Sequence, residues 1–182
     1  DAAHAIGASY EVGNQTYRVG SCAHSDMTIF SFHPVKHMTT GEGGMVTTNS
    51  PELYEKLCLL RTHGITKAPE KLTRNDGPWY YEQQELGFNY RITDMQCALG
   101  LSQLKRLDAF VAQRRKIVKI YNQAFAACTE LIVPVQSPEA HSSWHLYMLG
   151  LLSIDRKEVF EKLRDRGLGV NVHYIPVHMQ PY

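Results

Sequence analysis

The sequence predicts an α/β protein in two parts, and three observations predict it. Short apolar, β-branched runs separated by glycine turns fill the first part. A long helical periodicity then runs from Met95 to Phe125. A strand–helix–strand pattern closes the chain. The order suggests residues 1–112 as the end of a larger α/β domain. Residues 113–182 would then hold a bridging helix and part of a smaller α+β domain, with the change near 110–119.

The elements are expected as follows. Asp1–Ala8 is rich in small residues and suits a turn or short helix. Residues 10–20 alternate around Gly13-Asn14, a hairpin pattern. Met27–Phe32 and Met45–Thr48 read as buried strands joined by a sharp, glycine-rich connection. Ser50-Pro51-Glu52 opens a helix with an N-cap, a first-position proline and a first-turn acid; Leu53, Leu57 and Leu60 form its stripe and Gly64 ends it. Residues 66–89 are irregular, and a loop of that length is usually functional or an interface. Thr93-Asp94-Met95-Gln96 is a capping-box pattern. It opens one long helix or two abutting ones, with Met95, Leu99, Leu101, Leu104 and Leu107 as the apolar face. Leu146–Ile154 and Val170–Ile175 read as strands on either side of a helix capped by Asp155 and stopped by Gly167.

Composition narrows the function classes. Nineteen Lys and Arg against eighteen Asp and Glu leave a formal charge of +1 over 182 residues, so no strong field draws nucleic acid or a membrane surface. No apolar run approaches the ~20 residues that span a bilayer. Cys22, Cys58, Cys97 and Cys128 are scattered, which speaks against a disulfide framework and a zinc site and for reduced cytoplasmic thiols. The nine histidines form no metal-binding spacing, so no metal is expected. The chain opens on Asp1 within a motif and closes on Gln180-Pro181-Tyr182, so it reads as an internal fragment.

The chemistry centres on Lys36, in Ser31-Phe32-His33-Pro34-Val35-Lys36, ahead of Thr40-Gly41-Glu42-Gly43-Gly44. A lysine on a tight connection between strands suits an amine that attacks a carbonyl, because burial lowers its pKa and only the free amine is a nucleophile. The best-known use of such an amine is an imine with pyridoxal 5'-phosphate. That cofactor also needs an acid at its pyridine nitrogen, groups for its phosphate and a partner for its phenolic oxygen. Asp1, Ser31 and His4 could supply these in turn. Each residue alone is more often a surface group, and the combination with the glycine turn carries the reading.

These segments resemble the motifs of the DegT/DnrJ/EryC1/StrS nucleotide-sugar aminotransferases. The resemblance extends through Leu60-Arg61-Thr62-His63-Gly64, Gly87-Phe88-Asn89-Tyr90-Arg91, Gln96–Leu104 and Gly169–His178, in order along essentially the whole chain. It implies the aspartate aminotransferase-like fold type I of PLP-dependent transferases. Lys36 would be the imine-forming, proton-shuttling lysine, Asp1 the acid facing the pyridine nitrogen, and Ser31 a phosphate ligand. His4 would lie near the phenolic oxygen. Asn89 would reach the phosphate of the partner subunit in a homodimer. His173, Tyr174 and His178 lie on a segment that the resemblance places near the site entrance, with packing an equal alternative. Within the family, the Lys36 motif is most similar to enzymes that aminate UDP-4-keto-6-deoxy sugars in pseudaminic acid synthesis, with L-glutamate as donor. The family's phosphate loop and ring-stacking residue are not in this sequence, so the fragment is not expected to act alone.

The rivals are a relative acting on another nucleotide keto-sugar, a sugar dehydratase and a non-catalytic relative. Lys36 argues against the dehydratase, where histidine replaces it, and the retained Asp1, Ser31 and Asn89 argue against a non-catalytic role. Arg91 is read as a structural ion pair, Arg114-Arg115-Lys116 as a solvated helix face. Trp79-Tyr80-Tyr81 is read as a platform for uracil or a dimer interface.

Overall fold

The computed structural model describes residues 1–182 and divides into two units, Asp1–Lys119 with Gln136–Leu146, and Ile120–Val135 with Tyr147–Tyr182. In the first unit, β1 (Ser9–Val12) and β2 (Gln15–Arg18) form the hairpin, paired from Ser9↔Arg18 to Val12↔Gln15. Gly13 takes the left-handed φ of +61° that the first position of this two-residue turn demands. β3 (Met27–Ser31) and β4 (Gly44–Thr48) pair antiparallel from Met27↔Thr48 to Ser31↔Gly44.

α1 (Pro51–Leu60) starts where expected, with Ser50 Oγ accepting from Leu53 N–H. Two-residue strands β5 (Ile65–Thr66) and β6 (Glu82–Gln83) pair across the long irregular segment. α2 (Asp94–Leu104) carries the full reciprocal capping box of Thr93 and Gln96. α3 (Leu107–Phe125) follows at once, so the long periodicity is two abutting helices.

The second unit contains the end of α3 and the short strand β7 (Leu131–Ile132). In the first unit, β8 (Ala140–His141) adds to the free edge of β1. In the second, β9 (Gly150–Leu151) pairs with β7, and α4 (Arg156–Asp165) is capped by Asp155. Tyr121, Phe125 and Tyr147 pack their rings there, with Tyr147 O–H donating to Asn122 Oδ1 at 2.6 Å.

Several expectations need correction. The strand expected over Leu146–Ile154 shortens to β9, and Val170–Ile175 forms no strand. The residues of that second segment are half-buried or exposed and have no ladder partner. β3 and β4 are not buried strands either: Ile29 and Met45 are each 53% exposed. The apolar face of α2 is open as well, with Met95 83% and Leu101 63% exposed, while Leu107 is buried. Arg91 is exposed and joins none of the seven ion pairs. All four cysteines are free, and no helix is long and apolar enough to cross a membrane.

Candidate active site

One small core gathers the segments that carry Asp1, Ser31 and Lys36. Ala2, Phe30, Phe32 and Met38 are buried together, with Ala5, Ile6 and Val19 against them. Ala2 adjoins Asp1, Ala5 adjoins His4, Phe30 and Phe32 flank Ser31, and Met38 lies two residues past Lys36, so packing these apolar side chains inward places the polar ones around them. The Ala2 N–H donates to Ile29 O at 2.8 Å, which ties the Asp1 segment to the edge of β3. Asp1 itself is exposed and accepts from the Ala3 N–H at 2.9 Å.

The β3–β4 connection folds back on the strand end. Phe32 N–H donates to Gly43 O, and Phe32 O accepts from both Thr40 N–H (3.1 Å) and Thr39 Oγ1 (3.0 Å). Gly41 adopts a φ of +83°, open to glycine and costly to other residues. Helix α2 braces the turn, because Gln96 Nε2 donates to Glu42 O at 3.0 Å. Gly100 permits the close approach, since a Cβ there would stand 2.9 Å from Thr40 Cγ2.

Inside this connection Lys36 is half-buried, and its backbone N–H donates to His33 O at 3.0 Å. Burial pushes its ammonium below the ordinary lysine range, the direction that a nucleophilic amine requires. Ser31, at the end of β3, is half-buried, and its hydroxyl accepts from His33 N–H at 3.4 Å.

Three imidazoles gather beside Lys36. His4 packs on His145 with ring centroids 4.4 Å apart, and His145 on His37 at 5.3 Å. His37 is only 4% exposed, and its Nε2 lies 3.1 Å from Ser143 O, 106 residues away in sequence. Burial first, and then the nearby Arg114, Lys36 and neighbouring imidazoles, lower both His37 and His145 to about 4, with the bond to Ser143 O opposing the shift at His37. Both rings are therefore neutral at neutral pH. In sequence His37 and His145 are two of nine histidines without a metal-binding spacing. No local signal marks them, since their partners are distant in the chain.

Arg114 and Arg115 correct the expectation of a solvated face. Arg114 Nη1 donates to Trp144 O and His145 O, both at 3.1 Å. Arg115 donates to Ser142 O at 3.0 Å and His141 O at 2.9 Å. These bonds hold a segment in which Trp144 has a left-handed φ of +55°.

The remaining expected residues do not join this group. Asn89 is exposed, on a strand-like return in which Thr62 bridges Asn89 and Tyr90 N–H donates to Arg61 O at 2.9 Å. His173, Tyr174 and His178 are exposed residues of the second unit, the first two with rings 4.3 Å apart. Trp79 is exposed, while Tyr80 O–H donates to Glu82 at 3.0 Å. Glu82 also accepts from Thr73 N–H, Thr73 Oγ1 and Arg74 N–H, and these bonds hold its carboxyl at about 2.

Comparison with known proteins extends the sequence resemblance. The family model of the DegT/DnrJ/EryC1/StrS aminotransferase family matches residues 1–182. The chain is 42% identical over its whole length to the uncharacterized protein MJ1066 of Methanocaldococcus jannaschii, covering 47% of that protein. It is 41% identical to the UDP-4-amino-4,6-dideoxy-N-acetyl-beta-L-altrosamine transaminase of Campylobacter jejuni, over 98% of this chain and 44% of that one. In structure it is similar to the sugar aminotransferase Spr1654 of Streptococcus pneumoniae in its PLP form. That match has a TM-score of 0.83 and 31% identity, over 100% of this chain and 44% of that one. It is also similar to Helicobacter pylori PseC, an aminotransferase of pseudaminic acid biosynthesis. There the TM-score is 0.83 and the identity 31%, over 100% of this chain and 46% of that one. The chain thus spans about half the length of the relatives it matches, and over that span it has the fold of PLP-dependent transferases of fold type I. The chain belongs to the DegT/DnrJ/EryC1/StrS aminotransferase family.

Proposed function

We propose that the protein of which this chain is part is a PLP-dependent aminotransferase. It would move an amino group from L-glutamate to the 4-keto carbon of a UDP-linked 4-keto-6-deoxy sugar, the pseudaminic acid type of reaction. The observation that carries the reading is a half-buried Lys36 with a lowered ammonium pKa, on the same small core as Asp1 and Ser31. The donor set fits the cofactor: an amine, a carboxylate and a hydroxyl rise from adjacent segments, with His4 beside them. Bound pyridoxal phosphate supplies an electron sink for the electrons released at the substrate carbon.

Each side chain then has a defined task. Asp1 would hold a proton on the pyridine nitrogen of the bound cofactor. Ser31 donates its hydroxyl to the phosphate. Lys36 Nζ would hold the cofactor and, as a free amine, would move a proton at the substrate carbon that bears the nitrogen. His4 orients the phenolic oxygen. Asn89 reaches the site of a second subunit in a homodimer, a role its exposure allows. His173, Tyr174 and His178 contact substrate. Residues 1–112 act as part of the cofactor-binding domain and 113–182 as the bridging helix and small domain, in a cytoplasmic enzyme.

The substrate is tested with the full-length protein, L-glutamate and UDP-4-keto-6-deoxy sugars of both epimer series. Glutamate-dependent amination of the L-series sugar is expected. Amination of dTDP-linked keto-sugars instead would move the reading to a neighbouring specificity, and no turnover with any of them would overturn it.

A further inference from the structure

The connection that carries Lys36 is held from outside by one face of α2. Its two ends are pinned together at Phe32, whose N–H donates to Gly43 O at 2.8 Å and whose carbonyl accepts from Thr40 N–H at 3.1 Å. Residues 33–39, with Lys36 at their centre, form an excursion closed at that point. Glu42 lies in the closing arm between Gly41, at a φ of +83°, and Gly43, at +151°, and glycine leaves such torsions freest. The Glu42 carbonyl accepts two bonds, from Thr40 Oγ1 at 2.7 Å and from Gln96 Nε2 at 3.0 Å. Four residues on, along the same face of α2, Gly100 is buried. A Cβ there would stand 2.9 Å from Thr40 Cγ2 and 3.8 Å from Met38 Cε. Met38 and Thr40 are each 3% exposed, so this helix face packs on the residues two and four past Lys36.

Gln96 is also bound within its own helix. Its Oε1 accepts from Thr93 N–H at 2.9 Å and from Thr93 Oγ1 at 3.1 Å, and its backbone N–H donates to Thr93 Oγ1 at 3.3 Å. Both ends of the side-chain amide are therefore engaged, the oxygen in the capping box and the nitrogen on Glu42 O. A capping box needs only the oxygen, which a glutamate supplies equally well; the donor to Glu42 O is what glutamine adds. We propose that Gln96 is a positioning residue of the Lys36 site: its amide nitrogen fixes the Glu42 carbonyl, and with it the backbone closure that sets where Lys36 stands. This deepens the reading of Lys36 as the cofactor lysine and rests on it.

The test compares two variants of the full-length protein. Gln96→Glu keeps the capping-box oxygen and loses the donor; Thr93→Ala loses the cap and leaves the donor. Amide hydrogen exchange at Phe32 and Thr40 is read without cofactor, and the dissociation constant for pyridoxal phosphate is read by titration. Gln96→Glu is expected to quicken that exchange about tenfold, the factor by which losing one hydrogen bond eases local opening. It is expected to weaken pyridoxal phosphate binding by about the same factor. Thr93→Ala is expected to lower the urea midpoint and leave both local readouts in place. Gln96→Met, which has no donor and adds no charge, is expected to repeat the two local losses, and it stands in should the glutamate variant fail to fold. Unchanged exchange in the Gln96 variants, unchanged pyridoxal phosphate affinity, or equal local losses in Thr93→Ala overturns the proposal. Failure of the aminotransferase reading is distinct: the parent protein itself then takes up no pyridoxal phosphate, and the proposal falls with it.

Discussion

His37 and Glu82 both give up protons more readily than free side chains of their kind, for opposite reasons. His37 is buried, lies near a guanidinium and has one nitrogen unpaired, so its charged form is excluded. Glu82 opens the short strand β6, half-buried at the surface, and four hydrogen bonds from Thr73, Arg74 and Tyr80 favour its charged form. The first is stabilised as a neutral group by dryness, the second as an anion by donors. A dry, under-bonded cluster suits a reactive amine, whereas a saturated carboxylate organises a loop and does nothing more. The Lys36 region therefore reads as chemistry and the Glu82 loop as scaffold.

Lys36→Ala in the full-length protein is the largest expected effect, a fall of at least about a thousandfold in kcat for amination. Glu82→Gln in the same assay is expected to leave kcat within a few-fold. Equal losses in the two variants would erase the distinction between site and scaffold.

Acid sharpens the comparison next. The folded-state value of His37 lies near 4, below the ordinary 6.5, so on acidification the unfolded chain takes up this proton first. Its contribution to stability is full above about pH 6.5 and is lost progressively down to about 4, roughly 3 kcal/mol over that window. Glu82, held near 2, keeps its bonds throughout the same window and loses them only as the pH falls through about 2. Urea midpoints of the full-length protein between pH 7 and 4 measure the loss, and His37→Phe should flatten the slope while Glu82→Gln leaves it.

Arg114→Ala removes two charge-assisted bonds to carbonyls and should cost about 2 kcal/mol in chemical denaturation. The smallest effect is that of Glu82→Gln on stability. Amide exchange at Thr73 and Arg74 should quicken while the global unfolding midpoint stays in place.

Much of this contrast was hidden in the sequence, although the frame around it was legible. The Gly13-Asn14 hairpin, the Ser50-Pro51 cap, the Thr93–Gln96 capping box and the Asp155 cap all form as their local chemistry predicts, because each is settled within a few residues. Lys36 was legible for the same reason. The histidine cluster was not, since His145 meets His4 and His37 only through tertiary folding. Arg114 and Arg115 looked like a solvated pair because carbonyl acceptors from a loop leave no mark in side-chain patterns. The strand expected over Leu146–Ile154 shortened to β9, the stretch that meets β7, and the one over Val170–Ile175 did not form, because an apolar run alone supplies no ladder partner. The exposed faces of β3, β4 and α2 show apolar periodicity without burial in this chain, where length and pattern alone imply a core.

Borohydride reduction of the full-length protein with pyridoxal phosphate tests the central assignment most directly, with peptide mapping of the fixed pyridoxyl group. A single adduct on Lys36, absent from Lys36→Ala and retained in Glu82→Gln, is the predicted result. An adduct on another lysine, or one that survives in Lys36→Ala, would contradict it.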